Sequence, residues 1–313
     1  MATAEVDIDV DVGKRRLAPF VSPLVEGKLV EQRRYQTDRF KPAYIKDKRA
    51  PDLQKPVRRM IGEQIGGNNL TPQQRYEANL AFEMEDQVDM IDRRLEWMAA
   101  QTLKTGTLTV TGEGFPTQVI DFGRAPSLTV TLAGAAKWGQ AGVSPSQDIE
   151  NWSHEILKQS GGVATEIVFT TTSWRHFMND PVVKQAIWYP GGGQGNTVNI
   201  GTQIQRGAVY KGKWGQYDLW LYNDWFVDPL DEKEKPMLTD GTVLMSGPDL
   251  MGTRAFGLIL DPAFAYGPLA YAPKMWLNPD PAQAYLMMQS APLTIPSRVN
   301  ASFSANVCDP VLT

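Results

Sequence analysis

The feature that most constrains this chain is the signal for one long helix that begins at Thr71. Thr71 can cap the helix, Pro72 suits its first position, and Gln74 completes a capping box. No glycine or proline follows before Gly106, so we predict a helix over residues 72–103, roughly 45 Å long at ~1.5 Å per residue. One apolar stripe with spacings of three and four runs along it: Tyr76, Leu80, Met84, Val88, Ile91, Leu95 and Met98.

A helix of this length suits an elongated subunit better than a compact enzyme. Its opposite face is charged and carries Glu77, Glu83, Glu85, Asp86, Asp89, Asp92, Arg93 and Arg94. A coiled coil is the alternative interpretation, although the stripe lasts only about three and a half heptads before strand-like sequence begins.

The sequence before this helix is extended and basic. Residues 1–25 have little apolar periodicity, and Pro19 and Pro23 oppose regular structure there. Residues 26–70 contain too few large apolar side chains to bury a core of their own. Between Lys28 and Arg59 there are eleven Lys and Arg residues against four Asp and Glu, although the whole chain has a net charge of -4. Such a segment can bind an acidic surface on another copy, or it can be a solvated basic loop.

The sequence after the helix predicts an α+β fold. A hairpin is expected over residues 107–122, and a second capped helix begins at Ser144 and ends at Gly161. The strand 166–170 and a helical stretch from Ser173, broken near Pro181, suggest a mixed α/β lobe. Near the end, strict alternation over residues 298–307 predicts a half-buried strand.

Residues that often mark catalytic or metal sites are scarce and poorly grouped. The two histidines, His154 and His176, suit surface or rim positions, and no zinc motif surrounds them. Cys308 is the one cysteine, and we expect it to be a small residue at a strand end. The glycine-rich run 191–197 has Asn196 where a phosphate-binding loop would place its lysine. We therefore predict no catalytic, cofactor or metal site, although two carboxylates of a hydrolase could escape detection by sequence.

No membrane association is expected either. No stretch of 18 apolar residues is present. The N-terminal sequence has acids before bases and no apolar core, which is unlike a signal peptide.

Several short segments, in order along the chain, resemble the major capsid proteins of lambda-like tailed bacteriophages, the major capsid protein E family. The resemblance covers about residues 20–308. No single segment is specific to this family, but the set of segments in this order is. The matching segments are Val21-Ser22-Pro23-Leu24-Val25 with Gly27, Tyr44 with Lys46 and Lys48, Arg58-Arg59, Thr111-Gly112-Glu113 with Phe115, Gly123-Arg124, Tyr210-Lys211-Gly212 with Gly215, and Gln289-Ser290-Ala291-Pro292-Leu293.

The resemblance implies the HK97-type capsid fold and a division of the chain. Residues 1–25 would form an N-terminal arm, and residues 26–70 an extended loop that lies over a neighbouring subunit. Residues 71–135 and 284–313 would form a peripheral domain with the spine helix 72–103. Residues 136–283 would form an axial domain around the capsomer centre.

The implied function is structural and not enzymatic. Such a subunit assembles with itself into pentamers and hexamers of an icosahedral head shell that encloses double-stranded DNA. The implied partners are a scaffolding protein, a portal and, in shells that carry one, a decoration protein. The implied location is the virion capsid, assembled in the host cytoplasm. An encapsulin-like compartment shell, a phage tail protein and a hydrolase or glycan-binding protein stay open as alternatives.

The charge pattern suggests which residues meet between subunits. We expect the basic side chains of the extended loop to pair with acids on the spine helix of the adjacent copy, where they would set orientation more than stability. The basic candidates are Arg33, Arg34, Arg39, Lys41, Lys46, Lys48, Arg49, Arg58 and Arg59, and the acidic candidates are Glu83, Glu85, Asp86 and Asp89.

Overall fold

The structure is a computed structural model of the 313-residue chain. It describes residues 6–11, 35–40, 42–52, 71–112, 114–188, 197–198, 204–205, 207–280 and 282–311. The described part is an α+β fold with four α-helices and nineteen strands. The helices are α1 (Pro72–Thr105), α2 (Pro145–Ser160), α3 (Thr171–Asn179) and α4 (Pro181–Trp188).

Helix α1 begins and ends through local sequence chemistry. The Thr71 hydroxyl accepts a hydrogen bond from the Gln74 amide at 3.2 Å, and the Gln74 side chain accepts one from the Thr71 amide at 2.9 Å. The helix ends at Gly106, whose positive φ of 76° suits glycine and lets its amide donate to the Thr102 carbonyl. The predicted capping box is confirmed, and the 34-residue helix extends two residues beyond the predicted end.

A mixed central sheet forms the largest layer. Its strands are β6 (Thr129–Thr131), β7 (Glu166–Phe169), β8 (Thr197–Val198), β9 (Ile204–Gln205), β10 (Ala208–Trp214), β11 (Tyr217–Tyr222), β14 (Thr242–Ser246) and β19 (Phe303–Asn306). Their order in the sheet is β6-β19-β14-β7-β11-β10-β8, with β9 also paired to β10. The pairs β7–β11 and β6–β19 are parallel, and the other pairs are antiparallel.

Helices cover both faces of this sheet. On one face, Ile149, Trp152 and Ile156 of α2 pack with Phe169 and Phe303 in the main core. The Trp152 ring stacks on Trp138 at 5.8 Å and on Phe303 at 5.1 Å. On the other face, the end of α1 packs on Leu244 and Val168 through Ala100 and Leu103.

The predicted half-buried strand over residues 298–307 is wrong in two respects. Residues Val299–Ala301 form a 3-10 turn, and the strand is only β19. Both faces of β19 are buried, because Phe303 faces α2 while Ser304 lies opposite Leu244 on the side that α1 covers. The alternation of small polar and apolar residues reflects a strand between two helical layers, not a solvent-facing one.

Three smaller sheets lie along α1. The hairpin β4–β5 and the pair β15–β18 contribute Leu108, Ile120, Leu293 and Ile295 to a cluster with Met98. The three-stranded sheet β16-β17-β3 packs Met288 against Ile91 and Leu95 of α1. The strands are β3 (Ile45–Arg49), β4 (Thr107–Gly112), β5 (Phe115–Asp121), β15 (Gly252–Phe256), β16 (Ala272–Pro279), β17 (Ala282–Ser290) and β18 (Pro292–Pro296). Two further pairs are β1 (Val6–Asp11) with β2 (Tyr35–Phe40) and β12 (Trp225–Val227) with β13 (Glu234–Pro236).

Candidate inter-subunit surfaces

Strand β3 carries three of the predicted contact residues and presents them on two faces. It pairs with β17 so that Arg49 lies opposite Leu286 and Lys48 opposite Met287. Successive side chains of a strand point to opposite faces. Arg49 therefore faces α1, while Lys46 and Lys48 lie on the outer face of the three-stranded sheet.

Arg49 joins the predicted basic and acidic surfaces within one chain. Its guanidinium donates to Asp47 at 2.9 Å and Glu83 at 3.0 Å, and it forms an ion pair with Asp86 at 2.5 Å. Burial lowers the pKa of Arg49, but the hydrogen bonds to Asp86, Glu83 and Asp47 outweigh burial and raise that pKa above its usual value. The predicted charge pairing between β3 and the spine helix thus forms in cis here, and its counterpart between subunits stays a prediction.

Lys46 and Lys48 lie over aromatic rings. The Lys46 ammonium is 5.1 Å from the Tyr44 ring centre, and the Lys48 ammonium is 4.3 Å from Tyr285 and 5.3 Å from Trp276. Such contacts contribute about 0.5–1 kcal/mol at exposed sites. Both lysines are nevertheless exposed, so their charges lie on the outer surface of the three-stranded sheet.

The remaining predicted contact residues fall into two groups. Arg39, at the end of β2, and Glu85 and Asp89 on α1 are exposed. Arg33, Arg34, Lys41, Arg58 and Arg59 lie outside the residues that the structure describes.

A polar network at the start of β3 escaped the sequence-based reasoning. The Tyr44 hydroxyl donates to Gln289 Oε1 at 2.7 Å and accepts from the Leu260 amide at 3.1 Å. Gln289 Nε2 in turn donates to Asp261, which also binds the Lys274 ammonium at 2.7 Å. The Lys274 hydrogen bond is the main reason that the pKa of Asp261 falls to about 2. The only sequence signal was that Tyr44 and Gln289 lie in two of the segments that carry the family resemblance.

Arg124 is a second residue whose role emerges only in three dimensions. Its guanidinium donates to the Leu103 carbonyl at 2.5 Å and the Lys104 carbonyl at 2.8 Å, at the carboxyl end of α1. Burial lowers the pKa of Arg124 to about 10. A side chain at Gly106 would meet Arg124 at 2.8 Å, so glycine is needed there for close approach as well as for φ. The cation stabilises the negative end of the helix dipole and fixes the hairpin β4–β5 to α1.

The first half of α1 exposes large apolar side chains. Phe82 is 64% exposed and Met90 is 51% exposed. Both side chains lie next to acids in the sequence, Glu83 beside Phe82 and Asp89 beside Met90. The exposed stretch is available to a neighbouring polypeptide.

The residues considered for catalysis occupy inert settings. His154 is exposed, and His176 lies half-buried against Gly139. Cys308 is buried, and burial, with Asp240 and Asp309 nearby, raises its thiol pKa to about 11, which opposes nucleophilic use. Residues 191–196 of the glycine-rich run lie outside the described part.

The described residues contain no group of three or more His, Cys, Asp or Glu side chains placed to hold a metal ion. None of the described helices is both long and apolar enough to cross a membrane.

Comparison with known proteins identifies the family. The family model described as phage major capsid protein E matches residues 1–307. The chain belongs to the phage major capsid protein E family. It is 29% identical to the major capsid protein of Escherichia phage lambda over 94% of this chain and 86% of that protein, and equally so to that of phage N15.

A solved structure confirms the fold. The capsid protein of a prophage of E. coli CFT073 superimposes with a TM-score of 0.73 at 23% identity, covering 88% of this chain and 80% of that one. The chain thus has the HK97-type capsid fold predicted from sequence and is a structural protein of a phage head shell.

Proposed function

We propose that the chain assembles into pentamers and hexamers that close into an icosahedral shell around double-stranded DNA. The family match over residues 1–307 is the observation that carries this proposal. A closed lattice multiplies weak contacts, so each interface between copies needs only modest affinity. The work of the protein is assembly and enclosure, not catalysis.

The two predicted domains would have different roles in the shell. The sheets that pack along α1 would form the peripheral domain, and the central sheet with α2 and α3 the axial domain around the capsomer centre. Strands β6 and β19 lie outside residues 136–283 but pair within the central sheet. They would join the two parts.

The interface we propose uses the charged residues predicted from sequence. Lys46 and Lys48 on the outer sheet face, with Arg33, Arg34, Arg39, Lys41, Arg58 and Arg59, would meet acids of the adjacent copy. Glu85 and Asp89 are exposed for this role, whereas Glu83 and Asp86 already bind Arg49 of their own chain. The intrachain ion pairs would hold β3 in position while the exposed charges select the neighbour.

Further partners follow from the same proposal. A scaffolding protein and a portal would direct assembly in the host cytoplasm, and a decoration protein would bind the finished shell. The net charge of -4 suits a shell that encloses DNA without gripping its phosphates.

Sedimentation across a salt series, with electron microscopy of each fast fraction, tests the proposal. Rings or closed shells at physiological salt are the expected products, and high salt should reduce them because exposed charge pairs are screened. The double variant Arg58→Glu with Arg59→Glu should assemble poorly. Lys158→Glu, an exposed change on α2, is the matched control. Co-expression with the scaffolding protein and portal of the same phage supplies the missing partners. If no ring or shell forms even then, the proposed function is wrong.

A further inference from the structure

The chain reaches strand β3 through a short segment that packs against a distant part of the fold. Pro42 is buried beside Gly257, where an added Cβ would meet the proline ring at 3.0 Å. The Gly257 amide donates to the Ala291 carbonyl at 2.8 Å, directly after the end of β17. Glycine at position 257 therefore lets the chain approach closely just before it enters β3.

Two residues further on, the Tyr44 hydroxyl joins three segments of the chain. It donates to Gln289 of β17 and accepts from the Leu260 amide, which lie 245 and 216 residues away in the sequence. Gln289 is 1% exposed, so water would not replace the Tyr44 donor there. A buried acceptor that loses its donor is costly to the fold.

The hydrogen bonds continue from Gln289 to the remaining strand of the sheet. Gln289 Nε2 donates to Asp261 at 3.2 Å. Asp261 also accepts from the Ala263 amide at 2.9 Å and from the Lys274 ammonium of β16. The network thus links β3, β17 and β16 to the loop 257–271, which joins β15 to β16. Because its members polarise and orient one another, such a network specifies one arrangement of the segments that it joins.

The basic segment is the part of the chain that needs this support. Residues 26–70 contain too few large apolar side chains to bury a core of their own. Lys46 and Lys48 of β3 are exposed, and the Lys46 ammonium lies over the ring of Tyr44 itself. A charge held in one place loses less conformational entropy when it meets a partner, so a fixed strand favours a specific contact.

We propose that Tyr44 is a positioning residue for assembly: its hydroxyl fixes β3 to the loop 257–271 and so sets where Lys46 and Lys48 meet the neighbouring copy. This role rests on the proposed shell function, because it assigns the two lysines to a contact between copies. It differs from a contribution to subunit stability alone, since a stable chain without the Tyr44 link should still assemble poorly.

Hydrogen exchange of the unassembled full-length subunit tests the link directly. Tyr44→Phe removes the hydroxyl and keeps the ring beside Lys46. Amide exchange in β3 should become at least 10-fold faster, whereas exchange in α2 should change less than 2-fold. Tyr285→Phe is the matched control, because its ring lies under Lys48 and its hydroxyl makes no hydrogen bond to the described residues. Unchanged exchange in β3 of Tyr44→Phe would overturn the role of Tyr44.

Shell yield then tests whether the link matters for assembly. Co-expressed with the scaffolding protein and portal of the same phage, Tyr44→Phe should give at least 5-fold fewer closed shells than the unmodified chain or Tyr285→Phe. Ile167→Val controls for stability, since it removes one methylene from the core of the central sheet, to which β3 does not belong. If Ile167→Val loses as many shells for the same fall in the urea midpoint, stability alone explains the loss and the positioning role is wrong.

A double variant separates stability from positioning in the opposite direction. Tyr44→Phe with Gln289→Met removes both partners, so no buried amide oxygen is left without a donor, and the urea midpoint should return towards that of the unmodified chain. The shell yield should stay at least 5-fold low, because β3 is still not tied to the loop 257–271. Recovery of shells together with stability would overturn the positioning role. If the midpoint does not return, the comparison with Ile167→Val decides the question.

The outcomes distinguish the role of Tyr44 from the proposed function. Equal shell yields from the unmodified chain and Tyr44→Phe would overturn the role of Tyr44 and leave the shell function standing. If the unmodified chain forms no ring or shell with its scaffolding protein and portal, the proposed function is wrong, whatever hydrogen exchange shows for β3.

Discussion

The two halves of α1 belong to one helix but have different surroundings. From Ile91 onward, the helix buries Ile91, Leu95 and Met98 against three sheets. Before Ile91, its buried residues are the polar Asn79 and Gln87, while Phe82 and Met90 are exposed. The second half anchors a folded core, and the first half projects a charged and partly apolar surface that we assign to assembly.

The contrast shows that helix length and helix burial are separate properties. A capping box and good helix-forming residues carry α1 through its first five turns without a complete core beside them. Ion pairs from Arg49 and a hydrogen bond from Gln87 Nε2 to the Asp47 carbonyl at 3.1 Å then hold β3 on that half. We therefore expect substitutions around the second half of α1 to change stability and substitutions on its first half to change assembly.

The largest expected loss of stability comes from a substitution in the second half of α1. Leu95→Ala should lower the free energy of unfolding by roughly 2–5 kcal/mol, because it leaves a cavity beside Ile91 and Met288. Urea unfolding of the unassembled subunit measures this. A loss below about 1 kcal/mol would mean that the helix is not packed here as described.

Arg124→Ala should be the next most damaging change. It removes charged hydrogen bonds to the last carbonyls of α1, which we expect to cost about 2–3 kcal/mol. The same urea experiment applies, with Arg175→Ala on the exposed side of α3 as the matched control. Equal stability of the two variants would contradict the anchoring role of Arg124.

Arg49→Met should destabilise the unassembled chain by only about 1 kcal/mol, because its ion pairs are partly exposed and screened by solvent. The loss should shrink further as salt is added. Hydrogen exchange should become faster in β3. Unchanged exchange there would mean that pairing with β17 alone holds the strand.

Phe82→Ala should change the stability of the unassembled chain by less than about 0.5 kcal/mol, since its ring is largely in water. Assembly should nevertheless fall, because we expect a neighbouring copy to cover that ring. Sedimentation compares it with Leu157→Ala, an exposed apolar residue on α2. Normal assembly of Phe82→Ala would break the link between the exposed half and the interface.

The smallest expected effect is a change in stability that appears only at acidic pH. The folded pKa of Asp261 is about 2, below its ordinary value of 3.8. Its contribution to stability is therefore complete above about pH 4 and is lost as the pH falls from about 4 to 2. Asp261→Asn should flatten the fall of the unfolding temperature in this window. An unchanged acid profile would show that the network around Tyr44 does not depend on the Asp261 charge.

Local sequence determined much of the framework. The capping box at Thr71 and Gly106 marked the ends of α1, and the hairpin β4–β5 lies where the pattern placed it. These features depend on residues within a few positions of one another, so a sequence pattern contains their cause. The ordered family segments then indicated the capsid fold and the head-shell role.

Tertiary structure decided what the local pattern could not. Ser144 begins α2 as predicted, yet its hydroxyl donates to Asp180, 36 residues away, instead of capping that helix. β19 alternates like a surface strand but lies between two helical layers. Arg49 forms its ion pairs with acids of its own chain. Arg124 donates a hydrogen bond to the carbonyl of Lys104, which lies 20 residues earlier at the end of α1. In each case the deciding partner is distant in sequence, so only the folded chain brings the two groups together.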